Sequence, residues 1–302
     1  MTYKTHIWLF NFLVLLIGLV LLPIGFALGQ SKIQVVTKTI TKTIPYTAGK
    51  SIKIVGEKAE ISVQSWYKNF VSLKLSLIAK HPNRKTAEED LKFIDFKVAD
   101  EKNEISITNF FTQKAGYKDI NSNLSAKIEL FVPAECNLSI TNLYGSISLN
   151  TVNGKLYIDL SFTQLTMSTI KGLVNIKSHY GDIDAENVEA QLEVNSDMAD
   201  ISFKNLSGTS NFEGNYGQIS IQPSNKISTL NINADRTNVD IITGSLNDFD
   251  FDIETRFGTI KAPKELKKSV DSNLTRSKFQ QKNGNPLIRI NGNYSIINLK
   301  NN

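Results

Sequence analysis

The sequence predicts an all-β protein: a parallel β-solenoid (β-helix) with short two-strand coils, preceded by an irregular β-rich cap with one short helix. Three observations carry this. From Tyr144 to Asn215 the chain repeats every 18 residues, opening Tyr144-Gly-Ser-Ile, Phe162-Thr-Gln-Leu, Tyr180-Gly-Asp-Ile and Met198-Ala-Asp-Ile, and Tyr216-Gly-Gln-Ile starts a further copy. Within each copy apolar residues alternate with polar ones, the period of a strand with one buried face. Equivalent positions stay apolar from copy to copy: Ile147, Leu165, Ile183, Ile201 and Ile219 form one column, and Ile158, Ile176, Val194 and Phe212 another. Helical repeats need a period of roughly 33 residues or more, and apolar residues three and four apart. Neither is present.

A single unit buries too few side chains to fold alone, so neighbouring units must share one interior. Residues 142–300 are therefore read as the solenoid. Beyond Tyr216 the repeat loosens through Thr237-Asn-Val-Asp-Ile and Phe257-Gly-Thr-Ile, and Tyr294-Ser-Ile-Ile-Asn-Leu reads as the last rung. Residues 261–285, rich in lysine and poor in apolar residues, read as a long solvated basic loop.

At the other end, residues 1–29 form a targeting segment. Lys4 precedes an apolar run from Ile7 to Leu22, and Ala27-Leu28-Gly29 offers small residues to a signal peptidase before Gln30. The alternative is an uncleaved membrane anchor over residues 7–28. Both readings place the rest of the chain in the periplasm or at the cell surface, touching membrane only through that segment. Residues 30–45, rich in Thr and Lys, read as a tether grading into an edge strand.

Residues 46–141 read as the cap: strands at Ser51–Val55, Ala59–Val63, Phe70–Ile78, Phe93–Val98, Glu104–Phe111 and Ala126–Pro133, with a capping box at Thr86-Ala-Glu-Glu89 starting a helix through about Lys92. Cys136 is the single cysteine, so no internal disulfide forms, and with no accompanying histidine pattern it reads as a structural thiol.

The run Lys127-Ile-Glu-Leu-Phe-Val-Pro-Ala-Glu-Cys-Asn-Leu-Ser-Ile-Thr-Asn-Leu-Tyr-Gly-Ser-Ile-Ser-Leu, a strand ending in Val-Pro, a second strand and then Gly-x-Ile units, resembles the bacterial putative-adhesin domains of unknown function. The resemblance covers about residues 46–300 and implies an exported, cell-envelope, non-enzymatic β-solenoid. It carries no catalytic residues across.

Sequence chemistry is sparse. His6, His81 and His179 are not spaced as metal ligands or as a triad base, and no phosphate-binding glycine loop occurs. No catalytic, metal or cofactor site is assigned. The acidic candidates are Asp182 with Asp184, Asp197 with Asp200, and Asp248, Asp250 and Asp252; the first and last sets alternate with apolar residues and read as a solvated outer face, with calcium binding as one alternative. The sharper reading makes Asp182 and Asp184 the carboxylates of a carbohydrate-active enzyme. Tyr144, Phe162, Tyr180 and Tyr216, with Met198 between the last two, form a column expected to stack at a coil corner; the alternative is a ladder that faces a ligand.

Charge is segregated. Residues 30–80 hold nine Lys against two carboxylates, whereas residues 181–260 hold four basic residues against 14 acidic ones. An exported chain with an acidic middle points away from nucleic acid. The partner expected is an envelope protein or glycan, and the role one of adhesion or scaffolding. Runner-up readings are the carbohydrate-active enzyme and an envelope-stress regulator anchored by residues 7–28.

Overall fold

A computed structural model describes residues 32–112, 119–264, 266, 268–279 and 284–301. The targeting segment 1–29 and His6 lie outside the described residues. Among the described residues no helix is long and apolar enough to cross a membrane.

The solenoid is built from β2 (Ser51–Trp66), β7 (Asn137–Val152), β8 (Lys155–His179) and β9 (Ile183–Thr243), each bent through one or more corners. Successive coils pair in parallel at the offset of the repeat: Ile147 opposes Leu165, and Leu165 opposes Ile183. Each coil runs along one sheet, turns, and returns along a second, so alternate side chains from both sheets meet in a shared dry interior. The columns read from sequence are its core. Ile147, Leu165, Ile183, Ile201 and Ile219 are all buried, as are Ile158, Ile176, Val194 and Phe212.

The stack begins earlier than the repeat does. Read from sequence as part of the cap, β2 pairs in parallel with β7 over nearly its whole length, Ile54 against Ile140 and Ile61 against Ile147. It is a full rung. Above it, one sheet ends in β5 (Glu104–Phe111) and β4 (Ile94–Asp100), and the other in β6 (Asn123–Pro133), β3 (Phe70–His81) and β1 (Gln34–Pro45). The β1–β3 and β4–β5 pairs are antiparallel, and β1 is the edge strand, with Lys38 and Lys42 exposed.

The helix α1 (Arg84–Asp90) starts two residues before the expected Thr86. Asn83, not Thr86, is its N-cap: the Asn83 side chain accepts the Thr86 N–H at 3.2 Å. An extended Asn following Pro82 places its carboxamide over the first turn, which is what an N-cap requires.

Two further expectations change at the other end. The strands β14 (Leu287–Asn293) and β15 (Ile296–Asn301) are not the last rung. They lie between the final coil of β9 and the rung of β10 (Asp250–Arg256) and β11 (Thr259–Lys261), so that Ile232, Ile290 and Ile253 stack in that order, and likewise Val239, Ile297 and Ile260. Order in space departs from order in the chain. The expected basic loop 261–285 is largely a hairpin, β12 (Lys268–Asp271) and β13 (Leu274–Phe279), which closes one sheet by antiparallel pairing with β10. Buried Leu266 and the Lys268 ammonium donating to the Ile260 carbonyl at 3.0 Å hold it down. Its lysines hid the alternation because one face is solvated.

Candidate functional site

The aromatic column occupies one corner of every coil. Tyr144, Phe162, Tyr180, Met198 and Tyr216 all have φ between 50° and 62°, the left-handed region. For bulky side chains that conformation is an outlier and needs support from its surroundings. Part of the support is the glycine that follows. Gly145 and Gly217 have φ of 135° and 139°, and a Cβ there would sit 2.1 Å from the Ala59 carbonyl oxygen and 2.2 Å from that of Ala199. The chain leaves the corner by pressing its backbone against the rung before.

Stacking supplies the rest. Tyr144 and Phe162 lie 5.1 Å apart at 17°, and Phe162 and Tyr180 4.9 Å apart at 3°. The ladder extends beyond the repeat. Arg236, also left-handed, places its guanidinium 5.4 Å from the rings of both Tyr216 and Tyr294, and Tyr294 stacks on Phe257 at 5.0 Å. At the opposite end Lys58, opposite Tyr144 in register, sets its ammonium 5.2 Å from the Phe111 ring. Since the rings face one another, what they offer solvent is mainly their edges and hydroxyls. Tyr144, Phe162, Tyr180 and Tyr216 are 42–46% exposed.

Beside this ridge, on the outer face, run columns of amides and carboxylates. His179, Asp197, Asn215, Asp235 and Asn293 directly precede ladder residues. Asp197 accepts from Asn215 Nδ2 at 2.8 Å and pairs with His179 Nδ1 at 2.9 Å; Asp235 accepts from Asn293 and from Arg236. Two residues further from the ridge, Asn195 donates to Glu213 at 3.2 Å and Asn291 to Asn233 at 3.1 Å. A third column holds Asn175 donating to Glu193 and Asn231 to Asn211. Together Asn195, Glu213, Asn215, Asn233, Asp235, Asn291 and Asn293 line a trough of about 430 Å³ along the Tyr216–Arg236–Tyr294 stretch. Sequence reading passed over it. The available signal was an Asx residue immediately before successive ladder residues, in Asp197, Asn215, Asp235 and Asn293.

The other sequence candidates do not gather there. Asp182 and Asp184 are exposed on the second sheet, and Asp182 accepts the Asp200 backbone N–H at 3.0 Å. Asp250 corrects the expectation of an outward face: it is 9% exposed at the start of β10, where its N–H bonds to Pro286. Asp252 does face outward, near Arg289 at 3.9 Å. His81 Nδ1 accepts the Asn83 N–H. Cys136 is fully buried, and burial pushes its thiol up to about 12. Among the described residues no group of three or more His, Cys, Asp or Glu is placed to hold a metal ion.

The family model of Toastrack DUF4097 matches residues 37–296. The chain belongs to the Toastrack family. Similar solved structures include a putative adhesin from Bacteroides fragilis NCTC 9343, at 12% identity over 88% of this chain and 97% of that one, with a TM-score of 0.45. A putative lipid binding protein from Parabacteroides distasonis ATCC 8503 is 14% identical over 87% and 96%, also with a TM-score of 0.45. A putative cell adhesion protein from Clostridium sporogenes ATCC 15579 is 13% identical over 88% and 100%, with a TM-score of 0.30. Among curated proteins none matches this Toastrack chain.

Proposed function

We propose that this Toastrack protein is a non-enzymatic adhesion or scaffold module of the cell envelope, exported to the periplasm or cell surface, which holds an extended glycan strand along the trough beside its aromatic ridge. The carrying observation is the set of hydrogen-bonding columns. Asn and Asp side chains recur on that face at the rung spacing of about 4.8 Å, presenting similar donors and acceptors at each step. A repeating polymer meets such a surface in register. Carboxamides both donate and accept, which suits sugar hydroxyls, and Asn215, Asp235 and Asn293 set the trough next to the ladder residues that follow them in the chain.

The carboxylates support binding over catalysis. Burial is one of the means by which a general acid for glycoside hydrolysis keeps its proton near neutral pH. Asp182 and Asp184 are exposed, and the trough acids already accept neighbouring amides.

The test is retention of the full chain on envelope glycan and envelope protein fractions at low and high salt. Glycan retention should survive high salt, because neutral hydrogen bonds are screened little. Replacing Asn215 and Asn293 together by Ala should weaken it about tenfold, at ~0.5–1.5 kcal/mol per lost hydrogen bond. Retention on the protein fraction alone, or unchanged glycan binding in the double variant, would overturn the reading.

A further inference from the structure

A second cavity lies far from the trough, where β1, β3 and β6 meet the end of β2. It has a volume of about 570 Å³ and is walled by Tyr46, Trp66, Tyr67, Lys68, Pro133 and Glu135, within the size range of small-ligand sites. Trp66 is its fixed wall. The indole N–H donates to the Phe70 carbonyl at 2.9 Å, Phe131 stacks on the ring at 5.3 Å and 25°, and Phe70 meets it edge-on at 4.6 Å. Tyr67 beside it is 92% exposed.

The chain itself shows what this wall accepts. The Lys68 ammonium lies over the Trp66 ring, 4.9 Å from its centroid, and 5.5 Å from that of Phe70. An alkylammonium on aromatic faces is the arrangement by which proteins hold quaternary amines, and Glu135 adds a negative charge to the lining. A free cation would nevertheless have to displace the Lys68 ammonium and leave it beside the bound positive charge. A ligand that brings its own anion escapes that penalty.

We infer that the Trp66 cavity binds a phosphocholine group. The trimethylammonium displaces the Lys68 ammonium from the aromatic wall, and the freed Lys68 pairs with the phosphate. Lys68 is thus both the plug of the empty site and the anion partner of the filled one. The inference is independent of glycan binding at the trough.

The chain has two tryptophans, Trp8 and Trp66, so the full chain carrying Trp8→Phe reports on this cavity by fluorescence. Titration with phosphocholine should change the Trp66 emission saturably, with choline weaker and inorganic phosphate silent. Lys68→Ala, at the turn surface, should reverse the order: choline binds about three- to tenfold better once the plug is gone, and phosphocholine loses its advantage. Glu135→Gln should weaken both. Phosphatidylcholine vesicles giving the same response, with phosphatidylglycerol vesicles giving none, assign the source to a lipid head group; a response to soluble phosphocholine alone assigns it to a free or polymer-linked group. No saturable response to phosphocholine, or the same ligand order in Lys68→Ala as in the parent, would overturn the proposal.

Discussion

The Arg236 guanidinium lies 5.4 Å from the Tyr294 ring although 58 residues separate them in the chain, because the last two strands enter the stack directly after the coil that carries Arg236. Its other face meets Tyr216 at the same distance. Arg236→Ala should lose both cation–π contacts and cost about 1–2 kcal/mol, at ~0.5–1 each for exposed pairs. Arg236→Tyr should recover most of it, since an aromatic ring suits every neighbouring rung. Urea denaturation of the three proteins checks this; an Ala variant as stable as the parent would show that the corner needs no stacking.

Gly217→Ala tests the close approach after the corner. A methyl at 2.2 Å from the Ala199 carbonyl cannot be accommodated without moving one rung from the next, and φ of 139° is itself unfavourable for alanine. The expected loss is about 2–4 kcal/mol, the range of overpacking and backbone strain combined. Gly244→Ala, where nothing lies within 4 Å, should be nearly neutral by the same thermal-melt measurement.

Ending the chain after Pro286 removes an interior rung, not a terminal one. Ile232 and Ile253 each lose their neighbour Ile290, so β10 to β13 lose their attachment to the remaining stack. Limited proteolysis of that truncated form should cut first within residues 244–286 and leave the coils up to Thr243 protected. Equal protection of both regions would contradict the observed order of rungs.

Burial holds the Cys136 thiol near 12, against about 8.5 for an unperturbed cysteine. The folded state therefore keeps a proton that the unfolded state gives up above that ordinary value. Stability from this group is complete below about pH 8.5 and falls by about 1.4 kcal/mol per unit as pH rises from there towards 12. Native protein should also resist iodoacetamide at pH 8, with labelling appearing only in denaturant; rapid native labelling would count against a buried thiol.

How much of this could be read from the residues alone varies with the feature. The Ile147 and Ile158 columns were legible because alternation and a constant 18-residue offset both point at one buried face. The Tyr144–Tyr216 column was legible from the constant offset alone, since it stands at an exposed corner and not on the buried face. Its continuation was not: Phe111 and Lys58 precede the regular period, and Arg236, Tyr294 and Phe257 stack in an order the chain does not follow. Asn215 and Asn293 escaped notice because Asn is common in turns for local reasons, and only the stacked coils turn isolated amides into a surface. Lys268 to Phe279 looked like solvent-facing loop because a hairpin closing a sheet buries few of its side chains.

A stack of parallel coils is in principle a template, since its last rung offers the same unpaired edge that each earlier rung offered to its successor. Here the antiparallel pairs β1–β3 and β12–β13 border one sheet at its two ends, and the outer strands β1 and β12 carry exposed lysines, Lys38, Lys42 and Lys268. Edges of that kind discourage growth by further copies. Elongation into a filament is thereby disfavoured along the sheet that those lysines border.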